Sequence, residues 1–156
     1  MEFQEKSIID PVADFIKTCP FQNKYNVDLS EIDTGQFSDK DVERFALEYV
    51  GSNLDDYRQF ITGGAESVRQ ANFQLWIKRK SNGNDFRKET ADFIYNFERW
   101  VDYCQHNELT PTIGDDPTAE LMWADNGAYA VAWEDGRQAS VYMIQLHIQY
   151  TKNLGD

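Results

Sequence analysis

His106, His147, Cys19, Cys104 and the adjacent pairs Asp55-Asp56 and Asp115-Asp116 are the residues best equipped to do chemistry. A histidine or thiol does so only with partners at set spacing: a second zinc ligand, or a base beside a nucleophile. His106 follows a helical stretch, and His147 stands on the polar side of an alternating one. Neither has a Cys or His at ligand spacing beside it. Both read as surface histidines. Cys104 and His106 stand two apart at a helix end, so their side chains diverge. Cys104 is better explained by the apolar stripe it continues. Two isolated cysteines read as buried, reduced thiols, not as a disulfide or a metal site.

The remaining motifs resolve in the same direction. No Gly-x-Ser-x-Gly elbow is present. Gly63-Gly64 is flanked by two strand patterns and followed by no Lys-Ser or Lys-Thr, which makes it a hairpin turn and not a phosphate cradle. The Asp pairs lack the alternate spacing of a calcium loop, and Asp125-Asn126-Gly127 lacks its closing glutamate. The expectation is a non-enzymatic protein with no catalytic residue, cofactor or metal.

The elements that carry these residues follow from hydrophobic period and turn chemistry. Ser7 to Cys19 is a helix, with Val12, Phe15, Ile16 and Cys19 on one stripe, Ser7 or Asp10 as cap, Pro11 in the first turn and Pro20 ending it. Asn26-Val27-Asp28-Leu29 alternates like a short strand, and the polar stretch Ser30 to Asp41 reads as a loop. Phe45 to Val50 fits a strand or a helical turn, and the alternation of Phe45, Leu47 and Tyr49 favours the strand. Tyr57 to Ile61 and Ser67 to Arg79 are strands joined through the turn Thr62 to Glu66, where the two glycines supply positive φ. Ala71, Phe73, Leu75 and Ile77 share one face. Gln70, Asn72, Gln74 and Lys78 share the wet one, and Trp76 falls among them as an exposed aromatic.

A second helix spans about 86 to 105, with Phe93, Ile94, Phe97, Trp100, Val101 and Cys104 on its apolar face. Residues 107 to 117 form a Pro/Gly linker. A three-stranded meander closes the chain: Thr118 to Ala124, Ala128 to Trp133 and Ala139 to Thr151, with turns at Asp125-Asn126-Gly127 and Glu134-Asp135-Gly136. The fold class is therefore α+β over one domain, 1–156: a mainly antiparallel sheet of hairpins and meander packed on two amphipathic helices. At 156 residues, 41% hydrophobic and 14% aromatic, such a chain can bury a real core.

Charge narrows the partners. Fifteen Lys and Arg against 27 Asp and Glu give a formal charge of −12. That balance opposes binding to DNA phosphates and to anionic membranes. It serves solubility, or it makes an acidic wall past which DNA slides. No stretch has the ~20 apolar residues of a membrane span, and the polar start lacks the pattern of a signal peptide. A protein made and kept in the cytoplasm is expected.

The order of elements resembles the tail-terminator (tail completion, head-to-tail joining, "minor capsid") proteins of long-tailed phages and prophages. The resemblance is carried by 10–20 (DPVADFIKTCP), 69–79, the aromatic helix from Phe93 to Trp100, Leu109-Thr110-Pro111 and 140–150 (SVYMIQLHIQY). It covers most of the chain and is weakest between Asn23 and Asn53. It implies a structural virion protein of the tail and neck that caps the tail tube and then docks the head connector. The resemblance further implies a ring, six-fold in the virion though open to being a monomer in solution, through which DNA passes unbound. Interface residues are expected at Thr62, Gly63, Gly64 and Glu66, at Asp39 in the polar loop, and at Trp76. Two other readings compete: another neck or tail-tube component, or an acidic inhibitor that mimics DNA. Ring assembly on tube ends distinguishes the first, and carboxylates spaced like phosphates the second.

Overall fold

The computed structural model describes residues 4–30, 32, 34, 44–80, 84–115, 120–125 and 139–155. Helix α1 spans Ile9–Lys17, β1 Arg44–Gln59, β2 Ala65–Lys80, α2 Asn84–His106, β3 Leu121–Asp125 and β4 Ala139–Asn153. The strands form one antiparallel sheet in the order β1-β2-β4-β3. This is the expected mixed α+β architecture. The second meander strand, both its turns and Asp39 lie outside the described residues.

Helix α1 begins at Ile9, two residues after the expected start, with Ile8 in the capping position, and Ser7 Oγ accepts from the Asp10 amide at 3.1 Å. It stops at Lys17, two residues before Cys19-Pro20, and buries Val12, Ala13, Phe15 and Ile16. Helix α2 buries Phe93, Ile94, Phe97, Val101 and Cys104 at 3.6-residue spacing. The two helices meet through Phe15 stacked on Trp100, with centroids 4.7 Å apart. Together they cover Leu47 of β1, Ala71, Phe73, Leu75 and Ile77 of β2, and Tyr142, Ile144, Leu146 and Ile148 of β4. The alternation in β2 and β4 puts all these side chains on one face.

Residues 26–29 are not a strand. Asn26 adopts φ 53°, and the backbone that follows is held by a side chain. Gln22 Oε1 accepts from the Leu29 amide at 2.7 Å, while Gln22 Nε2 donates to the carbonyls of Lys17 and Cys19. Val27 and Leu29 are buried, which explains their alternation. Arg79 clasps the same turn from β2, donating to the Tyr25 and Asn26 carbonyls at 3.1 and 3.2 Å and approaching Glu89 at 3.7 Å.

Two further expectations are corrected. Phe45 to Val50 and Tyr57 to Gln59 belong to one continuous strand, irregular between Tyr49 and Ser52 and between Leu54 and Asp56. Gly51, at φ 107°, takes up the first irregularity, and the extra residues break the alternation that identifies a strand in sequence. Lys78 lies on the second face of the sheet, as its parity requires, but it is fully buried. Its register neighbour Val141 is buried too, as is Met143 beside Trp76, so this end of the sheet is closed on both faces.

Candidate functional site

Strands β1 and β2 each have 16 residues, a run of ~50 Å at the strand rise. The helices cover only part of that length. Past the pairing of Ser52 with Ala71, the sheet continues as an arm built from β1, β2 and the end of β4. On its apolar face, Leu54 and Tyr57 are each 54% exposed, and Tyr49 beside them is 37% exposed. The tip is a turn over residues 60–64, in which the Phe60 amide donates to the Gly64 carbonyl and the Gly63 amide donates to the Phe60 carbonyl. Ile61 at its apex is fully exposed.

The expected interface residues therefore divide. Thr62, Gly63 and Gly64 sit at the tip, and the glycines take φ values of 90° and 81°. Glu66 lies in β2 and not in the turn, with its carboxylate 3.9 Å from Arg58. Trp76 is only half exposed, and its Nε1 donates to Glu48 at 3.3 Å, at the closed end of the sheet. It belongs to the sheet's own second face, far along β2 from the tip.

A groove of about 520 Å³ runs along the apolar face of the arm. It is lined by Leu54, Tyr57, Tyr150 and Leu154, with Arg69 and Lys152 as its charged groups. Ser67 is buried in its floor, and Ser67 Oγ has no hydrogen-bond partner among the described residues. At the opposite edge, where α2 ends against β3, a cleft of about 510 Å³ is lined by Asp102, Gln105, His106, Glu108, Glu120 and Leu121. Gln105 joins the two elements, accepting from the Met122 amide and donating to the Glu120 carbonyl. Glu120 Oε1 accepts the Ile113 and Gly114 amides and shapes the linker. Large apolar side chains are exposed here as well: Tyr103, Leu109 and Leu121.

His147 is not the plain surface histidine its sequence position indicates. Its side chain is 14% exposed and stacks on Trp123, with centroids 5.1 Å apart. Nε2 lies 3.3 Å from Asp125 Oδ1 and Nδ1 2.7 Å from Asn72 Oδ1, which also accepts from Gln70 Nε2. Three strands thus contribute to one polar row on the second face. Register across β2, β3 and β4 assembles it, and that information is absent from local sequence. His106, by contrast, is exposed at the helix end.

The other chemistry-bearing residues are taken up structurally. Asp55 accepts from Gln149 Nε2, Asp56 pairs with Arg58 at 2.9 Å, and Asp115 accepts the Asn153 amide. Cys19 and Cys104 are both free and buried. Burial pushes the Cys19 thiol up to about 11, with the nearby Cys104 adding to the rise, and raises Cys104 as well. Thiols held protonated are poor nucleophiles. Among the described residues, no three His, Cys, Asp or Glu side chains gather as a metal site, and no helix is long and apolar enough to cross a membrane. Compared with protein-family models and with curated protein sequences, the chain matches none.

Proposed function

We propose that this protein is a non-catalytic assembly subunit of the tail-terminator kind, which caps the tail tube of a long-tailed phage or prophage and then docks the head connector. The observation that carries the reading is the helix-free arm, whose apolar face and tip are presented to the surroundings. Leaving Leu54, Tyr57, Phe60 and Ile61 in water forgoes the ~1.5–3 kcal/mol that burying each such side chain supplies. A contiguous exposed patch of this kind marks a protein–protein contact.

In this reading the subunits work as a ring, six-fold in the virion, with the helix-covered half of the sheet as rigid body and the arm as the reaching part. Its partners are the tail-tube protein on one side and the head-connector protein on the other. The charge of −12, multiplied around a ring, repels phosphate and lets DNA pass without sticking. A ring structure with Lys and Arg lining the hole would remove that part of the account.

The test is negative-stain imaging of tails produced with and without the protein. Without it, tubes of irregular length and heads without tails are expected, and adding purified protein restores joined particles. Tails of normal length joined to heads in its absence would overturn the proposal.

A further inference from the structure

Exposed apolar side chains occur both on the face of the arm and where α2 ends beside β3, and the charges beside these two groups are of opposite sign. The arm groove, on the face formed by β1, β2 and the end of β4, carries Arg69 and Lys152 and is lined by no carboxylate among the described residues. Neither cation forms an ion pair among the described residues. Lys152 lies 6.0 Å from the centre of the Tyr150 ring, and the chain around these two cations has a net charge of −12. At the β3 edge, the cleft where α2 meets β3 is lined by exposed Asp102, Glu108 and Leu121 and, among the described residues, by no Lys or Arg, and exposed Tyr103 and Leu109 follow Asp102 and Glu108 directly in the chain. The groove also holds the partnerless Ser67 hydroxyl, a buried polar group that a bound chain can satisfy.

We propose that the arm groove of one copy receives the α2–β3 corner of a second copy. Asp102 and Glu108 then face Arg69 and Lys152, while Tyr103 and Leu109 pack on Leu54, Tyr57 and Leu154. The occupant is a second copy because complementary apolar and charged surfaces stand on the same chain, one on the face of the arm and the other beside β3. A contact of this kind is heterologous: every bound copy leaves one groove and one corner open, so the association propagates until it closes. The irregular, bulged β1 edge discourages direct strand pairing and leaves the face of the arm as the contact. This inference rests on the self-assembling part of the reading above and supplies its contact surfaces.

Two double variants test it. R69E/K152E breaks the groove and leaves the corner intact; D102K/E108K does the reverse. Asp102, Glu108 and Lys152 are exposed and Arg69 is half-buried in the groove, so thermal melts close to that of the parent protein verify the fold. Sedimentation velocity from about 10 μM to about 1 mM spans the range expected of a small interface. The parent protein is expected to associate with rising concentration, and each variant to associate at least tenfold more weakly. An equimolar mixture of the two variants is expected to regain association, because the intact corner of one meets the intact groove of the other and the reversed groove again faces a reversed corner of opposite charge.

Should reversal of charge disturb the fold, the pair L54S and L109S gives the same three-way comparison. A parent protein that stays monomeric throughout, variants that associate as the parent does, or a mixture that regains no association would each overturn the proposal. Failure here does not decide the assembly reading, because that is judged separately by tails made without the protein.

Discussion

The covered half of the sheet, from Phe45 to Tyr49 on β1 and Ala71 to Ile77 on β2, and the arm beyond it share the same two strands and the same antiparallel ladder. They differ in what lies on their apolar face. In the covered half Leu47, Phe73, Leu75 and Ile77 are fully buried under α1 and α2, whereas in the arm Leu54 and Tyr57 are open to solvent. Backbone pairing is thus continuous, while side-chain burial stops partway along. The difference teaches that one element can serve as both foundation and reach, with stability in one half and association in the other. It also yields graded expectations, because mutations should change stability strongly in one half and barely in the other.

The largest effect is expected from Phe73→Ala. Phe73 is fully buried between Tyr49 and Leu146 in the sheet, under the helices, and the cavity left behind should cost ~3–5 kcal/mol in denaturant or thermal unfolding. Loss below 1 kcal/mol would mean that the helices do not seal this half. Arg79→Met comes next. Its guanidinium satisfies the Tyr25 and Asn26 carbonyls and lies 3.7 Å from Glu89. Removing it leaves those acceptors uncompensated, for about 3 kcal/mol. Hydrogen exchange should show the 3₁₀ turn Asn23–Tyr25 opening first.

Gly114→Ala probes the seam between the halves, where the linker crosses the end of β4. A Cβ there would meet the Thr151 carbonyl at 2.7 Å and Tyr150 Cβ at 3.1 Å, both on the strand and not on a flexible tip. The clash should cost roughly 1–3 kcal/mol. Unchanged stability would show that the linker can lift away from β4.

The covered half should also be the more sensitive to alkali. Cys19 titrates near 9 when unfolded and at about 11 in the fold, so the folded protein holds its proton where the unfolded chain has lost it. Its contribution is fully present below pH 9 and falls away as pH rises through 11. Tyr150, also raised by burial, acts in the same direction. Stability should therefore decline between pH 9 and 11, and less steeply in Cys19→Ala than in the parent. Equal slopes would separate this thiol from the alkaline transition.

How much of this was legible beforehand depends on how far apart the interacting residues stand. Helices α1 and α2 and the ends of β4 are visible because 3.6- and 2-residue periods are local. The Gly63-Gly64 turn is visible for the same reason, through backbone freedom. The length of the arm is not, because Gly51 and two irregular pairings interrupt the alternation of β1. The burial of Lys78 is not legible either, because parity gives its face but not what covers it. The His147 row and the two exposed apolar groups are built by register between strands far apart in sequence, and no window along the chain contains them. The only local hint at the arm was a run of apolar residues, Phe60-Ile61, inside a turn that would ordinarily be polar.

The smallest expected change in stability is also the most informative. Leu54→Ser and Tyr57→Ser remove apolar groups that already face water in the isolated chain, so little burial is lost on folding. Each should shift unfolding by no more than about 0.5 kcal/mol, the usual range for exposed positions. If the arm existed to stabilise the monomer, the same substitutions would cost as much as a core deletion. If it is a contact surface, they should leave the melt unchanged and weaken whatever the arm binds. A melt that falls by 2 kcal/mol or more would place these side chains in the folding core and remove the distinction between the two halves of the sheet.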